Sequence, residues 1–519
     1  MWQQLKEIGK SSAIYGLGNV ANSALSFLLV PFYTHHLSTA EFGSYSLLIT
    51  AFSLLSIAID AGLTSSLARF YFDGPQEATG PEWQLRRTRL VSTALFLGTG
   101  IGFLLAVATV LGADFGARML FPSEASAMVG EHAANLRILG VTLFFRGLTT
   151  APQVYLRVTE QPFVYSVLTS AQLGVFLLLN IILLTSTGLG VAGVFYSLLV
   201  STMLHAVGLL WAVRWDVRRY LDWRLSRELL RFGLPFLPVL LNIWIIDLSD
   251  RYLLGLYLST SSVGIYSLGY KFGQAIQFVV TAFTMGWVPL RFKILSLGEP
   301  QVIYSRVATF YLAIAGMAWV ALTSYAPEIV HLAATPPYYG AAEFVGPVGF
   351  AYLINGLFVI AVTGLGVAKD ASKLPLVSLG AVVLNIGLNL LLIPRIGAIA
   401  AAYSTIVAYA FLAIGSLYFS QRLYPIAYEY RACAALGVGM LAITALASLV
   451  NNLAPWAAAV LKISVFPAFA TVVVASGMVR RHEWGKLLAM SEPFVPGPLR
   501  AAVCRLSASL APTVPEARL

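Results

Sequence analysis

Runs of apolar residues, each about long enough to cross a bilayer as a helix, recur along almost the whole chain. A spanning helix needs about 20 mostly apolar residues. Such runs lie at approximately 11–35, 43–70, 90–112, 134–157, 163–185, 189–213, 234–257, 263–289, 303–325, 342–367, 374–394, 397–420, 432–450 and 457–479. Only 11% of the 519 residues are charged, against about 25% in a soluble globular chain. Lipid rather than water must therefore cover most of the surface. The pattern predicts an all-α polytopic membrane protein with about 14 transmembrane helices. The run at 134–157 is interrupted by Arg137 and Arg146, and the last two runs also read as one re-entrant unit. Lys6 and Lys10 precede the first run, which is too long for a signal-peptide core and lacks a small-residue cleavage site; it reads as an uncleaved span.

The formal net charge of +10 would suit a nucleic-acid partner if it were clustered, but the basic residues sit in short loops between apolar runs. With the N-terminus in the cytoplasm, the inner loops hold Arg86, Arg87 and Arg89; Arg214 to Arg231; Arg291, Lys293 and Arg306; Lys369 and Lys373; and Arg422 and Arg431. The opposite loops hold little beyond Arg118, Arg137 and Arg395. This asymmetry fits the positive-inside rule, with both termini cytoplasmic. Tyr33, Tyr71, Trp83, Trp211, Trp215, Tyr338, Tyr339, Tyr424 and Trp456 recur near run ends and read as an interfacial aromatic belt. Cys433 and Cys504 form no disulfide or metal spacing.

The chain repeats itself. Residues 37–47 (LSTAEFGSYSL) and 258–268 (LSTSSVGIYSL) are identical at seven of eleven positions, at an offset of 221. Both stretches fall between a first and a second helix, on the outer side. Arg69-Phe70 matches Arg291-Phe292, and Gly190 with Tyr196-Ser197 matches Gly397 with Tyr403-Ser404. The expected organisation is an N-terminal six-helix lobe over 1–214, a cytoplasmic amphipathic linker over 215–232, and a second six-helix lobe over 233–424. Two further helices over 425–482 and a cytoplasmic tail over 483–519 follow. Parallel repeats of this kind place a substrate path between the lobes. In the linker, Arg218, Arg219, Arg224, Arg227 and Arg231 alternate with Leu221, Trp223, Leu225, Leu229 and Leu230, the pattern of a basic helix lying on the inner leaflet. Leu499, Val503, Leu506 and Leu510 suggest a weaker surface helix in the tail.

Val30-Pro-Phe-Tyr33, the 37–47 loop, Ala68-Arg-Phe70, Asp250-Arg-Tyr252, Val263-Gly-Ile-Tyr-Ser267 and Trp287-Val-Pro289 occur in that order. Together they resemble the polysaccharide-biosynthesis (Wzx-like) flippases of the multidrug/oligosaccharidyl-lipid/polysaccharide superfamily. The resemblance implies two lobes in a V-shape around a central cavity and alternating access. It implies transfer of undecaprenyl-diphosphate-linked oligosaccharide from the inner to the outer leaflet of the bacterial inner membrane, for O-antigen, capsule or exopolysaccharide. A polysaccharide polymerase is an implied partner, and a proton or Na⁺ an implied coupling ion. A cation-coupled multidrug exporter of the same superfamily is the alternative.

Ionisable groups at bilayer depth are costly and usually face a cavity or a partner. The deepest are Asp60, Arg146, Asp247, Asp250, Arg251 and Lys271, with Arg69 and His205 nearer the cytoplasmic ends. Asp247 and Arg251 stand four residues apart on one helical face. Two readings are open: a self-neutralising pair, or an arginine that binds phosphate oxygens bidentately with the acid tuning it. Asp250 adds a second acid. Arg146 and Lys271 have no opposite charge at helical spacing in their own spans, which favours a hydrated cavity where Arg146, Arg251 and Lys271 match a diphosphate. Asp60 either pairs with Arg146 or Lys271 or takes up a proton. Asn19, Asn22, Asn242, Asn355, Asn385 and Asn389 read as helix-packing polar groups or sugar contacts. No phosphate-binding loop, metal cluster or nucleophile–base pair stands out, so neither a cofactor nor an enzymatic activity is expected. The longest outer loop, Gly112 to Ala133, is too short for the catalytic loop of a polymerase or ligase.

Overall fold

The computed structural model describes residues 27, 29–73, 81–122, 124–218, 220–295, 299–450 and 455–478. All of their regular structure is helical. Eleven segments are long and apolar enough to span a bilayer: Thr39–Tyr71, Glu82–Leu111, Pro162–Ser186, Gly190–Ala212, Trp223–Tyr257, Thr260–Ile294, Pro300–Ser324, Pro336–Ala368, Leu374–Ile396, Ile399–Leu423 and Tyr430–Leu449. The protein is thus an all-α polytopic membrane protein, with eleven such spans among the described residues rather than fourteen. The differences have three causes. The run at 11–35 lies mostly outside the described residues, as do Asn19, Asn22, Arg219 and the segment 499–510. The run at 134–157 forms part of a 33-residue helix, Ser126–Val158, whose Glu131, Arg137, Arg146 and Arg157 keep it from being apolar enough. The run at 457–479 yields only a short apolar helix, Lys462–Ala475.

The described helices fall into two compact units. One comprises residues 1–278, 329–354 and 371–416; the other comprises 279–328, 355–370 and 417–519. In the first unit the repeated loops are also a repeated structural device. Ser38 starts the Thr39–Asp60 helix by accepting from Glu41 N, while the Glu41 carboxylate takes up Ser38 N at 2.8 Å. Ser259 starts the Thr260–Gly273 helix by accepting from Ser262 N. A serine in either place supplies an acceptor for an orphan helix-terminal N–H.

The repeat equivalents then meet each other. Gly43 and Gly264 lie in contact, and a Cβ on either would collide with the partner helix backbone, at Thr260 O or Thr39 O. Ser46 and Ser267 hydroxyls touch at 2.6 Å, and Thr39 Oγ1 lies 3.0 Å from Ser261 Oγ. Contacts between matching positions are what a two-fold axis between repeats produces, and small residues let the backbones close. Around this crossing, the Tyr338 hydroxyl donates to Leu37 O and Ser38 O, and Thr260 Oγ1 donates to Glu124, whose other oxygen lies 2.7 Å from His132 Nε2. Tyr338 and Tyr33, expected in the interfacial belt, are both 1% exposed. Each hydroxyl has a protein partner in place of water, Asn180 in the case of Tyr33.

The second span breaks at Ala61 and Gly62, both in the left-handed region. Asp60 caps the helix beyond the break, accepting from Thr64 Oγ1 at 2.5 Å and Thr64 N at 3.3 Å. The linker helix, Trp223–Gly233, seats its end here: Gly233 packs on Ala61, Gly62 and Ser66, and Ser66 Oγ donates to Leu229 O at 2.8 Å. Leu225 and Leu229 pack against Leu63, Leu67, Tyr71 and Leu90. The apolar face of the linker is therefore spent on the protein rather than on lipid, while Trp223, 77% exposed, stays free. Gly62→Ala puts a Cβ at φ +73° against the Gly233 backbone. It should cost about 1–3 kcal/mol, read as a lower midpoint of thermal unfolding in detergent.

The second unit is held by aromatic packing and buried ion pairs. Trp287, 2% exposed, stacks on Phe283 and meets the edge of Tyr304, whose hydroxyl donates to Arg291 O at 2.6 Å. Glu429 accepts from Thr309 Oγ1 and lies 3.4 Å from Arg306. Lys462, 1% exposed, bonds Glu328 at 2.6 Å. These pairs tie the Tyr430–Leu449 and Val465–Ala475 helices to the Pro300–Ser324 region.

Candidate functional site

The first unit contains all seven charged positions singled out in the sequence. It gathers three of them into one buried network on the Leu237–Tyr257 helix. Arg251 Nη1 donates to Asp250 Oδ1 at 2.8 Å and to the Asp247 carbonyl at 2.6 Å. Its guanidinium lies over the Tyr270 ring, 4.0 Å from the centroid. Asp250, with no exposed surface, also accepts from the Tyr266 hydroxyl. Of the two readings open for Asp247 and Arg251, the self-neutralising pair does not form between them; Arg251 pairs with Asp250 instead. Neighbours on a helix diverge by about 100°, and the arginine folds back past its own turn to reach the adjacent acid.

Asp247 is freed by this exchange and faces hydroxyls. Its Oδ1 accepts from Tyr409 at 2.6 Å and from Tyr270 at 3.4 Å. Tyr270 bonds Tyr352 at 2.8 Å, and Gln274 Nε2 donates to Tyr352 at 3.2 Å. The cluster holds two acids, one base and four tyrosines, so with both acids ionised it carries one more negative charge than positive. Tyr266, Tyr270 and Gln274 recur every four residues along Thr260–Gly273 and just beyond it, a polar stripe visible in the sequence but not singled out there. Tyr352 and Tyr409 arrive from distant helices and carry no local signal.

Asp60 and Arg146 form a second grouping. Arg146 lies half-buried within electrostatic range of Asp60, Tyr165 and His205. Among the described residues its guanidinium makes no hydrogen bond or ion pair. His205, 3% exposed, has neither ring nitrogen bonded among the described residues. Lys271, half-buried beside Tyr270, likewise has no hydrogen bond or ion pair among the described residues. Arg69 stands apart: it is exposed and pairs with Asp73 at 3.9 Å, at the end of its own helix. Asn242 Nδ2 donates to Ser378 Oγ at 3.0 Å, and Asn385 and Asn389 bond each other while fully buried, as helix-packing groups do.

Among the described residues no group of histidines, cysteines and acids could hold a metal ion. The arrangement offers instead two kinds of setting within the helices: an acid ringed by hydroxyls, and cations without a bonded counter-charge among the described residues.

A family model described as "Polysaccharide biosynthesis protein" matches residues 8–295. No curated protein matches the sequence. Among solved structures, the lipid II flippase MurJ in an inward closed conformation is similar at 13% identity, with a TM-score of 0.69, over 89% of this chain and 98% of that one. An inward-facing multidrug resistance MATE family transporter of the MOP superfamily matches at 14% identity and a TM-score of 0.62, over 77% of this chain and 94% of that one. The eukaryotic MATE transporter AtDTX14 matches at 15% and 0.53, over 90% and 99%. At these identities the likeness is one of fold.

Proposed function

Because the chain belongs to the polysaccharide biosynthesis protein family, a transporter family and not an enzyme family, we propose that it carries a polyprenyl-diphosphate-linked oligosaccharide across the membrane. In this reading the substrate passes from the inner to the outer leaflet of a bacterial inner membrane by alternating access. Both termini are cytoplasmic, and two six-helix lobes over 1–214 and 233–424 rock about the substrate.

The observation that carries the reading is the state of Arg146 and Lys271. Each is a cation in a largely apolar setting with no bonded carboxylate among the described residues. A charge in such a place is costly unless something compensates it. A diphosphate supplies that compensation when it enters, and its polyprenyl tail stays in the hydrocarbon. Arg251 is a poorer phosphate ligand than its sequence position suggested, because Asp250 already meets its charge. With the cytoplasm negative, outward movement of an anion is favourable by about 2.3 kcal/mol per charge per 100 mV. The acid Asp247, ringed by Tyr409 and Tyr270, is the group through which a proton or Na⁺ would couple to the return step.

Lys271→Ala and Arg146→Ala, at unchanged membrane levels, should each lower surface glycan at least tenfold. Lys271→Arg, which keeps the charge, should retain much of it. Normal glycan in both alanine variants overturns the cationic contact. The acidic, tyrosine-lined cluster favours a second reading, a cation-coupled exporter of organic cations. Deletion would then change drug susceptibility and leave surface glycan intact.

A further inference from the structure

The sequence Leu-Ser-Thr stands twice in the chain, at 37–39 and at 258–260, where it opens the Thr39–Asp60 and Thr260–Gly273 helices. Each copy is held by a loop from the opposite repeat. Tyr338 lies on the loop from the Pro300–Ser324 helix to the Ala342–Ala361 helix. Its hydroxyl donates to Leu37 O at 3.0 Å and to Ser38 O at 2.9 Å. Two bonds run beside it: Thr335 Oγ1 donates to Thr34 O at 2.8 Å, and Thr34 Oγ1 donates to Ala333 O at 3.3 Å. Glu124 stands in the equivalent place of the first repeat, between the Pro81–Leu111 and Ser126–Val158 helices. Its carboxylate accepts from the Thr260 hydroxyl. His132, buried and stacked on Phe121 at 3.9 Å, holds the other carboxylate oxygen at 2.7 Å. The two loops match in form as well, since each begins with a helix of eight residues, Ala113–Leu120 in one and Ala326–Ala333 in the other. Every residue that makes these bonds lies in the first unit.

Resting on the alternating-access reading above, we propose that these loops are reciprocal latches that hold the outer end shut. Each grips the Leu-Ser-Thr turn of the other repeat, and the two release together when the protein opens outward. The exchange itself is the first argument. A two-fold relation returns every contact in kind, so that what one repeat does to its partner the partner does back. Incidental loop packing has no reason to place two such grips on two copies of one motif. The second argument is position. Both grips fall where the helices begin that cross at Gly43 and Gly264, so these helices cannot part until the grips let go. The third is chemistry. The grips are hydrogen bonds between hydroxyls, carbonyls and one carboxylate, and water can replace each partner on opening at a small net cost. A buried ion pair such as Arg251 with Asp250 has no such exchange open to it. The latches differ in kind, one a phenol that donates and the other a carboxylate that accepts, so each can be weakened alone.

The test reads opening from the outer side of spheroplasts. One full-length chain carries Ser46→Cys and another Ser267→Cys, each with Cys433→Ser and Cys504→Ser. The two reporters are 6% and 7% exposed, and each lies about two turns into a gripped helix. A membrane-impermeant sulfonated maleimide is added and labelling is timed. Tyr338→Phe removes a hydroxyl and keeps the ring. It should raise the rate about three- to tenfold at both reporters, as should Thr260→Val, the effect of one lost hydrogen bond on an opening equilibrium. The two changes together should multiply, because separate sites that act on one transition add in free energy. Glu124→Gln still accepts from Thr260 and can donate to His132, so its rate should stay near the parent's, whereas Glu124→Ala should match Thr260→Val. If Tyr338→Phe fails to reach the membrane, Thr335→Val takes its place by removing the 2.8 Å bond beside it. A rate that rises only at the reporter on the helix whose latch was changed would be local fraying, and overturns the reciprocal pair. So does a rate unchanged in both Tyr338→Phe and Thr260→Val, or access from the cytoplasmic side alone. Labelling involves no glycan, so the two readings fail separately. Latch behaviour in a protein whose deletion spares surface glycan removes the flippase and keeps the latches, and loss of glycan on deletion with unchanged labelling does the reverse.

Discussion

Asp250→Ala should remove most of the folded protein from the membrane. Asp250 has no exposed surface and holds two donors, the Arg251 guanidinium and the Tyr266 hydroxyl. Without it, Arg251 keeps the Asp247 carbonyl and the faces of Tyr270 and Tyr266 but no counter-charge among the described residues, at 5% exposure. Removing one partner of a buried pair costs about 3–5 kcal/mol, because the other charge stays desolvated and uncompensated. That is a large share of the roughly 5–15 kcal/mol by which native proteins are stable. Size-exclusion recovery after detergent extraction and the midpoint of thermal unfolding should both fall sharply. The double variant Asp250→Leu with Arg251→Met should recover both, since apolar replacement of a whole buried pair is often neutral or better. Asp250→Asn should fall between, because it keeps an acceptor for Tyr266 and loses the charge. A single alanine variant with parental recovery and melting would mean that the pair does not hold this helix in place.

The same cluster marks where reading the sequence stops. Apolar runs of bilayer length located eleven spans, because span length is set by hydrocarbon thickness and needs no tertiary information. The repeated loop was legible for a similar reason: Ser38 and Ser259 cap their helices through contacts three residues away. Partner choice among buried charges was not legible. Helical spacing pointed Arg251 at Asp247, and only the arrival of Tyr409 and Tyr270 on Asp247 leaves Arg251 to Asp250. The Leu and Trp content of the linker predicted an apolar face and laid it on the inner leaflet, whereas Leu225 and Leu229 are covered by the protein. The break at Ala61–Gly62 decides that, by opening a seat for Gly233. Lys462 and Glu328, 134 residues apart, have no pattern between them at all. Arg69, placed with the cavity candidates but nearer the cytoplasmic end of its span than the deepest charges, lies exposed against Asp73.

Ser46→Cys with Ser267→Cys, in a chain whose Cys433 and Cys504 are changed to serine, should cross-link under mild oxidant and stop transport. The two hydroxyls touch at 2.6 Å, so the replacing thiols stand within reach of a disulfide. They are repeat equivalents, offset by 221 residues, as are Gly43 and Gly264 one turn away. In the proposed alternating-access cycle, this crossing between repeat equivalents opens in one half of the cycle. The backbone contact at Gly43 and Gly264 has no side chain to stretch, so opening must separate the Thr39–Asp60 and Thr260–Gly273 helices as rigid bodies. A covalent bridge at Ser46 and Ser267 forbids that separation and leaves the rest of the protein untouched. Glycan export in oxidised cells should drop about a hundredfold or more, and reductant should restore it. The single-cysteine chains should export normally under both conditions. Widening the crossing without a bridge, by Gly43→Val, should also lower export, but reductant should not rescue it, because the valine acts through its collision with Thr260 O. An oxidised, fully cross-linked chain that still exports glycan at the parental rate would show that these helices stay closed throughout the cycle, and rocking about this axis would have to be abandoned.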